Sequence, residues 1–364
     1  MPASLPHPTH WLVRISEVFA EEEKGILDGL SAGGRKKLGR GFHWIRVEEP
    51  AAIRGSGFSK FLRWNLPVHH SWPCHPPDVE GFVEKAAQAL ARKFGGAGVQ
   101  TLIVGPLDPG APQRYYKSLA SNLRGRALQL FPEITRAVRD AEDQDPDRPT
   151  LFCLVGAEGL YCGVQTPRES NGFFPGGTKF IKQSGPDAIS RAGAKVAEAI
   201  HYLALYRQAP PAGAHWLELG ASPGGMTAEL LQRGYRVTAV DRAPLDKRLH
   251  RQPGLVEILG DAGTFQPPVG TKYEMILCDM NGDACGAFSQ VLRLTEYLVE
   301  RGMVIFTLKM PGVGNIAEAD ELEAEVLRMA KASGIAPIAA THLTYNRYEF
   351  TLFFEKNESG LKKV

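Results

Sequence analysis

A glycine-rich turn between two regular segments is the part of this sequence best suited to bind a ligand. An apolar run lies within 215–219, the turn reads Gly-Ala-Ser-Pro-Gly-Gly over 220–225, and helical spacing resumes over 226–233. This order predicts a strand, a tight turn and a helix. Glycine lets the backbone approach a ligand closely, and the helix start offers unpaired N–H groups. The next predicted strand, 235–240, is followed by Asp241, a spacing that places a carboxylate on ribose hydroxyls.

Two further predicted strands also lead into aspartates. The segment 256–259 precedes Gly260 and Asp261, and 274–278 directly precedes Asp279. In a parallel sheet the carboxyl ends of the strands meet at one edge, where a ligand can lie across them. The turn lacks the GxGxxG pattern of dinucleotide-binding domains, which favours the methyl donor S-adenosylmethionine. A glycine-rich turn that serves only helix packing is the alternative.

Four charged residues lie on predicted elements that would converge on the same pocket. Lys195 is on a predicted amphipathic helix over 188–205, and Lys309 directly follows an apolar strand. Asp279 ends its strand, and Glu349 directly precedes another apolar run. Taken singly, each has an ordinary alternative, such as a solvated helix face for Lys195 or a sheet-edge charge for Glu349.

Methyl transfer to a ribose hydroxyl is the chemistry that needs this set. A 2′-hydroxyl is a poor nucleophile, so its proton must leave as the oxygen attacks the methyl group. A lysine can accept that proton if its pKa falls, and burial beside another cation lowers it. We therefore predict Lys309 as the base, with Asp279 and Glu349 orienting and balancing it. Lys195 would position the hydroxyl or stabilise developing negative charge.

The sequence over about 149–355 resembles the RlmM family of FtsJ-like, Rossmann-type methyltransferases. The resemblance includes 151–163, 170–177, Ser190 with Arg191, and the motifs above. It implies a catalytic tetrad of Lys195, Asp279, Lys309 and Glu349. It also implies methylation of a cytidine ribose in 23S rRNA. The donor contacts that it implies are Ser190, Gly220, Ser222, Pro223, Gly224, Gly225, Asp241, Asp261 and Asp279.

The resemblance also implies the domain organisation. We expect an α/β protein in which a Rossmann-like doubly wound methyltransferase sheet is preceded by ferredoxin-like and THUMP-like α/β modules. The expected domains are a ferredoxin-like domain over 1–68, a THUMP-like RNA-binding domain over 69–168, the methyltransferase domain over 169–356 and a tail over 357–364. The elements predicted in the first half are strands over 11–15, 42–47 and 100–104, helices over 20–30, 79–94 and 114–141, a helix or strand over 58–66, a linker over 67–77 and a hairpin over 150–164.

Composition limits how the protein can bind nucleic acid. The 364 residues exceed one typical domain, and the formal net charge of +2 is nearly balanced. RNA binding must therefore come from local basic patches, although most charge runs are solvated faces. The candidate patches are Arg35, Lys36, Lys37 and Arg40; Lys179, Lys182 and Arg191; and Arg242, Lys247, Arg248 and Arg251.

The five cysteines are few and mostly lie in apolar segments, which predicts reduced thiols and a cytoplasmic location. Cys153 and Cys162 would face each other across the predicted hairpin, where a disulfide is the less favoured alternative. We expect no signal peptide and no membrane span. The cluster from His69 to His75 lacks the spacing of a metal site, so we predict a loop and no metal.

The expected function is therefore that of an rRNA (cytidine-2′-O-)-methyltransferase. It would use S-adenosylmethionine to modify 23S rRNA or a large-subunit precursor during ribosome biogenesis. One alternative is a methyltransferase that acts on another RNA, a small molecule or a protein. A small-molecule or protein methyltransferase would not need Lys195, Lys309 and Glu349 together. The other alternative is a catalytically silent RNA-binding protein. The oligomeric state does not follow from the sequence.

Overall fold

The chain forms two compact units, residues 1–179 and 180–364. The computed structural model describes residues 5, 7–30, 32–55, 57–107, 114–131, 134, 144–177, 181, 188–310 and 315–358. The finer domain boundaries expected after residues 68 and 168 stay predictions. None of the helices in these described ranges combines the length and apolar composition needed to cross a membrane.

The first sheet of the N-terminal unit has a ferredoxin-like arrangement. Its elements are β1 (His10–Ile15), α1 (Glu23–Gly29), β2 (Ala32–Leu38), β3 (Phe42–Val47), α2 (Ala51–Gly55) and β4 (Leu62–Pro67). The strands pair antiparallel in the order β2-β3-β1-β4. A β-α-β-β-α-β sequence of elements folded in this way is the ferredoxin-like motif.

Strand β2 is missing from the sequence-based prediction, which has only a basic patch there. Its central residues are exposed and polar or glycine, so no apolar periodicity marks it as a strand. Two of the patch's cations are paired with acidic residues of α1. Arg35 pairs with Asp28 at 2.6 Å, and Lys37 pairs with Glu23 at 3.0 Å. This face therefore presents less free positive charge than the sequence indicates.

The second sheet of the N-terminal unit is mixed. Its elements are β5 (His70–Trp72), α3 (Phe82–Phe94), β6 (Thr101–Pro106), α4 (Arg114–Leu130), β7 (Thr150–Gly156) and β8 (Gly159–Gln165). The strand order is β5-β8-β7-β6, with β6 and β7 parallel and the other pairs antiparallel. The predicted hairpin is confirmed, and Cys153 lies directly opposite Cys162 as a free thiol.

The prediction of a linker over 67–77 is wrong at its centre. Residues His70–Trp72 form strand β5, which pairs antiparallel with β8. A three-residue edge strand is too short to show an alternating pattern, and the flanking prolines hide it further. Most of the predicted helix beyond Leu130 lies outside the described residues.

The C-terminal unit contains a seven-stranded Rossmann-like sheet. Its elements are α5 (Ala192–Leu203), β9 (His215–Leu219), α6 (Gly225–Gln232), β10 (Arg236–Asp241), β11 (Leu255–Leu259), β12 (Tyr273–Cys278), α7 (Ala284–Leu294), β13 (Leu298–Lys309), α8 (Ile316–Ala332), β14 (Ile335–Thr341) and β15 (Glu349–Lys356). The strand order is β11-β10-β9-β12-β13-β15-β14, and only the pairs that involve β15 are antiparallel. The direction of strand addition reverses between β9 and β12, which opens a crevice at their carboxyl ends.

The core of this unit explains why its strands are easy to predict. Strands covered on both faces read as nearly continuous apolar runs, as in β12 and most of β13. Helix α5 differs from its prediction because it begins at Ala192 rather than at 188. It is also not a half-exposed amphipathic helix, since ten of its twelve residues are buried. The alternative that Lys195 lies on a solvated helix face is therefore wrong.

Phe288 of α7 offers a test of this core. Its ring is fully buried and lies 4.9 Å from the ring of Phe306 and 5.1 Å from that of Phe354. We expect Phe288→Ala to lower the free energy of unfolding by about 3–5 kcal/mol, because it leaves a cavity between helix and sheet. Val269→Ala, at a fully exposed position, should change it by less than about 0.5 kcal/mol. Denaturant titration of both variants is the measurement, and equal effects would contradict this packing.

Candidate active site

The glycine-rich turn brings two loops of the C-terminal unit into close contact. Gly220 follows β9 with φ +78°, a conformation that residues with a Cβ rarely adopt. A Cβ at this position would lie 2.9 Å from the backbone nitrogen of Met280, which follows β12. Gly224 has φ +105° and leads into α6. The close approach of these two loops therefore depends on glycines, which have no Cβ.

A cavity of about 660 Å³ opens beside this turn. Three of its lining residues are Asp241, Asp261 and Asp279, so the carboxylates that follow three strands do meet at one edge. Its volume is within the range of pockets for small organic ligands. The remaining lining residues are Gly220, Ser222, Val240, Arg242, Gly260, Ala262, Gly263, Met280, Asn281, Asp283, Gly286, Ala287 and Gln290.

Backbone N–H groups orient the first two carboxylates. Asp241 accepts hydrogen bonds from the N–H of Ser222 at 2.9 Å and of Ala243 at 2.8 Å. Asp261 accepts one from the N–H of Gly263 at 2.8 Å and pairs with Arg242. The Gly263 bond and the Arg242 guanidinium hold the pKa of Asp261 below its usual value. Both side chains are thus held at the cavity as preorganised acceptors.

Four of the predicted donor contacts do not line this cavity, and their role in donor binding stays a prediction. Pro223, Gly224, Gly225 and Ser190 are not among the lining residues of this cavity. Ser190 and Gly225 instead line a second cavity of about 680 Å³ beside α6. The hydroxyl of Ser190 accepts a hydrogen bond from the N–H of Ala192 at 3.3 Å, at the start of α5. Ser190 therefore lies beside Gly225 at the end of the glycine-rich turn, and its contact with the donor stays a prediction.

The four charged residues form a closed ring of ion pairs. Lys195 Nζ lies 2.7 Å from Asp279 Oδ1 and 2.6 Å from Glu349 Oε1. Lys309 Nζ lies 2.8 Å from Asp279 Oδ1 and 2.7 Å from Glu349 Oε2. Their side chains are between 7% and 19% exposed. Each charge in this tetrad ring has two opposite partners, which offsets the cost of removing it from water.

Sheet register positions this ring. Lys309 is the last residue of β13 and lies directly opposite Glu349, the first residue of β15. Asp279 follows β12, the parallel neighbour of β13, and α5 carries Lys195. The alternative of Glu349 as a sheet-edge charge is wrong, because β15 lies between β13 and β14. Asp279 belongs both to the ring and to the lining of the first cavity.

The ring shifts the pKa values of Asp279 and Lys309. Burial alone would raise the pKa of Asp279, but the two lysines outweigh it and hold that pKa below its usual value. For Lys309, burial acts to lower the pKa, but Asp279 and Glu349 raise it above its usual value. The pKa of Lys309 is therefore raised here rather than lowered, and its role as the base stays a prediction. The carboxylates stabilise the protonated ammonium more than burial destabilises it.

Two arginines of the third basic patch are already paired with carboxylates. In the third patch, Arg242 pairs with Asp261, and Arg248 pairs with Asp246 at 2.8 Å. Lys179 and Lys182 of the second patch lie outside the described residues.

Over the described ranges, no cluster of three or more His, Cys, Asp or Glu side chains has the geometry of a metal site.

One buried carboxylate beside the turn is missing from the candidates that the sequence supplies. Glu218 of β9 is 2% exposed and accepts a hydrogen bond from Thr227 Oγ1 of α6 at 2.7 Å. Burial raises its pKa to about 8, although the Thr227 bond acts in the opposite direction. The signal in the sequence is a lone acidic residue inside an apolar strand.

Comparison with known proteins places this site in a family. The FtsJ-like methyltransferase family matches residues 188–314, which include Lys195, Asp279 and Lys309 but not Glu349. The protein named ribosomal RNA large subunit methyltransferase M from Halorhodospira halophila is 31% identical over 245 residues, which are 65% of this chain and 68% of that protein. The chain belongs to the ribosomal RNA large subunit methyltransferase M family.

The same family name is carried by a relative from Shewanella loihica, which is 30% identical over 245 residues and 65% of this chain. The chain spans 66% of the length of that relative. The structure of TrmN from Thermus thermophilus is 18% identical and covers 95% of this chain and 99% of its own, with a TM-score of 0.39. A likeness at that score supports no inference about function.

The buried Glu218 yields a prediction for pH dependence. Its folded pKa of about 8 lies above the reference value of 4.5, so the folded state prefers the proton. Its contribution to stability is complete below about pH 4.5 and is lost as the pH rises to about 8, by up to about 1.4 kcal/mol per pH unit. Glu218→Gln keeps the protonated shape and should therefore gain stability over the parent protein between pH 5 and 8.

Thermal unfolding of both proteins at pH 5, 6.5 and 8 measures this effect. Glu321→Gln, at an exposed position on α8, is the matched control and should follow the parent at every pH. If Glu218→Gln also followed the parent, the buried carboxyl would not be protonated in the folded state.

Proposed function

We propose that this protein is an S-adenosylmethionine-dependent RNA ribose 2′-O-methyltransferase. The observation that carries the proposal is the tetrad ring, which shares Asp279 with the cavity lined by Asp241 and Asp261. A carboxylate-rich edge suits the ribose and amine groups of a nucleoside donor. Family membership supports ribosomal RNA of the large subunit as the acceptor. We further propose a cytidine of 23S rRNA as the target.

The residues that line the cavity suit S-adenosylmethionine. Its backbone wall at Gly220 has no room for a Cβ, and its carboxylates are already oriented by N–H groups. S-adenosylmethionine supplies an electrophilic methyl group on a sulfonium sulfur. Asp241 would hold the ribose hydroxyls and Asp261 the adenine amine. Arg242 would have to share or release Asp261 for that contact.

Lys309 Nζ is the proposed general base. With the donor bound, the 2′-oxygen would take its methyl group as the carbon–sulfur bond breaks, and the hydroxyl proton would pass to Nζ. Lys309 must first lose its own proton, which its raised pKa opposes in the present state. A further positive charge bound beside Asp279 competes for that carboxylate and lowers the pKa of the lysine. Lys195 would position the oxygen, while Glu349 holds both lysines.

The N-terminal unit has a proposed role in substrate selection. We propose that residues 1–68 form a ferredoxin-like module, that 69–168 form a THUMP-like RNA-binding module, and that 169–356 form the catalytic domain. The catalytic domain would contact only a short stretch of RNA, so affinity would come from shape and phosphate contacts made elsewhere. A cytoplasmic location, where large-subunit precursors assemble, belongs to the same proposal.

Methyl transfer to purified RNA tests this function. Labelled S-adenosylmethionine is incubated with protein-free 23S rRNA and, separately, with 16S rRNA, and the products are digested to nucleosides. Labelled 2′-O-methylcytidine from 23S rRNA alone supports the whole proposal. Label on another ribose supports the chemistry and overturns the proposed target. Donor binding without label on either RNA overturns the RNA assignment in favour of a small-molecule or protein acceptor.

Replacing Lys309 tests the proposed base. We expect Lys309→Ala to lower kcat by at least about 100-fold, the usual contribution of a general base, with little change in donor or RNA binding. The kcat of the parent should rise with pH as the lysine is deprotonated. Lys331→Ala, which removes an exposed lysine of α8, is the control and should keep full activity. Near-normal turnover by a folded Lys309→Ala protein would show that the base lies elsewhere.

Gly220 tests the donor site. Gly220→Ala combines a positive φ with a clash against the backbone of Met280, so donor affinity should fall by roughly tenfold or more. Gly213 has a similar φ of +83°, but no atom lies within 4 Å of the place that a Cβ would take, so Gly213→Ala carries the strain without the clash. Calorimetric titration with S-adenosylmethionine measures both variants. Equal affinities would place the donor away from this turn.

A further inference from the structure

The loop between β14 and β15 is attached to the helix that carries Lys195. Glu198 of α5, one turn beyond Lys195, is 3% exposed. Its carboxylate accepts hydrogen bonds from the backbone N–H of Thr344 at 2.8 Å and from the Thr344 hydroxyl at 2.5 Å. A buried carboxylate is costly unless it is hydrogen-bonded. This contact therefore anchors the loop, residues 342–348, to one side of the tetrad ring.

The second half of the loop is held by its own hydrogen bonds. His342 Nε2 donates to the carbonyl oxygen of Arg347 at 2.8 Å. The amide of Asn346 donates to the carbonyl oxygen of Glu349 at 3.2 Å and to the hydroxyl of Thr351 at 3.0 Å. The backbone around Arg347 is thus fixed relative to Glu349, two residues further along the chain.

Arg347 itself extends from this fixed backbone into solvent. Its side chain is exposed, and across the described ranges no carboxylate forms an ion pair with its guanidinium. The tetrad ring beside it contains two lysines and two carboxylates, so the ring has no net charge to attract a polyanion. An unpaired cation on a rigid loop supplies that attraction next to the site.

We propose that loop 342–348 docks the RNA, with Arg347 binding a phosphate beside the target ribose and Glu198 acting as the positioning residue that holds the loop. This inference rests on the proposed function, because it takes the ring as the place where the ribose lies. A ribose in RNA is flanked by phosphates, and the planar guanidinium can donate two parallel hydrogen bonds to one of them.

RNA binding by Arg347→Ala is the first test. Binding of protein-free 23S rRNA should weaken roughly tenfold, as for loss of one charge-assisted hydrogen bond. The slope of log binding constant against log salt should become shallower by about 0.7, the value for one phosphate contact on a single strand. KM for RNA should rise, with kcat at saturating RNA and donor affinity unchanged. Arg347→Lys should recover part of the loss.

Arg328→Ala is the matched control. Arg328 is an exposed arginine of α8 in the same unit and pairs with Glu325 on its own helix. Its loss should leave both RNA affinity and the salt slope unchanged. The docking proposal is overturned if Arg347→Ala behaves like this control. Because RNA binding is measured without turnover, a parent protein that binds RNA through Arg347 but transfers no methyl group would overturn only the proposed function.

Glu198 is tested through its effect on Arg347. Glu198→Ala and Thr344→Val, the latter keeping the carboxylate, should both raise KM for RNA with little effect on donor affinity. Glu198→Gln retains an acceptor oxygen and should restore most of the RNA affinity. If Glu198 acts by holding the loop, the double variant with Arg347→Ala should bind RNA no more weakly than Arg347→Ala alone. Fully additive losses in folded proteins would overturn the positioning role.

Discussion

The pairing of two ammonium groups with two carboxylates is the constraint on which the site depends. These charges can be removed from water only because each one has two opposite partners. The register of β13 against β15 meets that requirement, because it places Lys309 directly opposite Glu349. Helix α5 contributes Lys195 from outside the sheet. Four elements of the C-terminal unit must therefore pack together before the charges can balance one another.

Asp279 links this balance to the neighbouring cavity. One of its oxygens accepts hydrogen bonds from both lysines, and the residue also lines the pocket beside the glycine-rich turn. A change of charge in the pocket therefore acts on the lysines through a shared carboxylate. The ring raises the pKa of Lys309, and a cation bound in the pocket would lower it. Such a dependence would couple proton removal to occupancy of the pocket.

Four strands that the sequence predicted well lie inside the sheet of the C-terminal unit. Strands β9, β10, β12 and β13 are found where apolar runs indicate them, because a covered parallel sheet excludes polar residues from its interior. Two of the strands that were missed, β2 and β5, lie at sheet edges. β2 exposes polar side chains and glycines, and β5 has three residues between prolines, so neither carries a periodic apolar signal. These segments form strands only because they pair with β3 and β8.

The sequence by itself determined the order of strand, turn and helix, the aspartates that end three strands, and the types of the four ring residues. These features are local, since glycines and apolar runs act over a few neighbouring residues. The tertiary structure alone decided that Glu349 lies inside the sheet, that Ser190 lines a second cavity with Gly225, and that the pKa of Lys309 is raised. Each of these depends on residues that are far apart in sequence. They interact only after folding brings them close together in space, and the sequence alone does not give those distances.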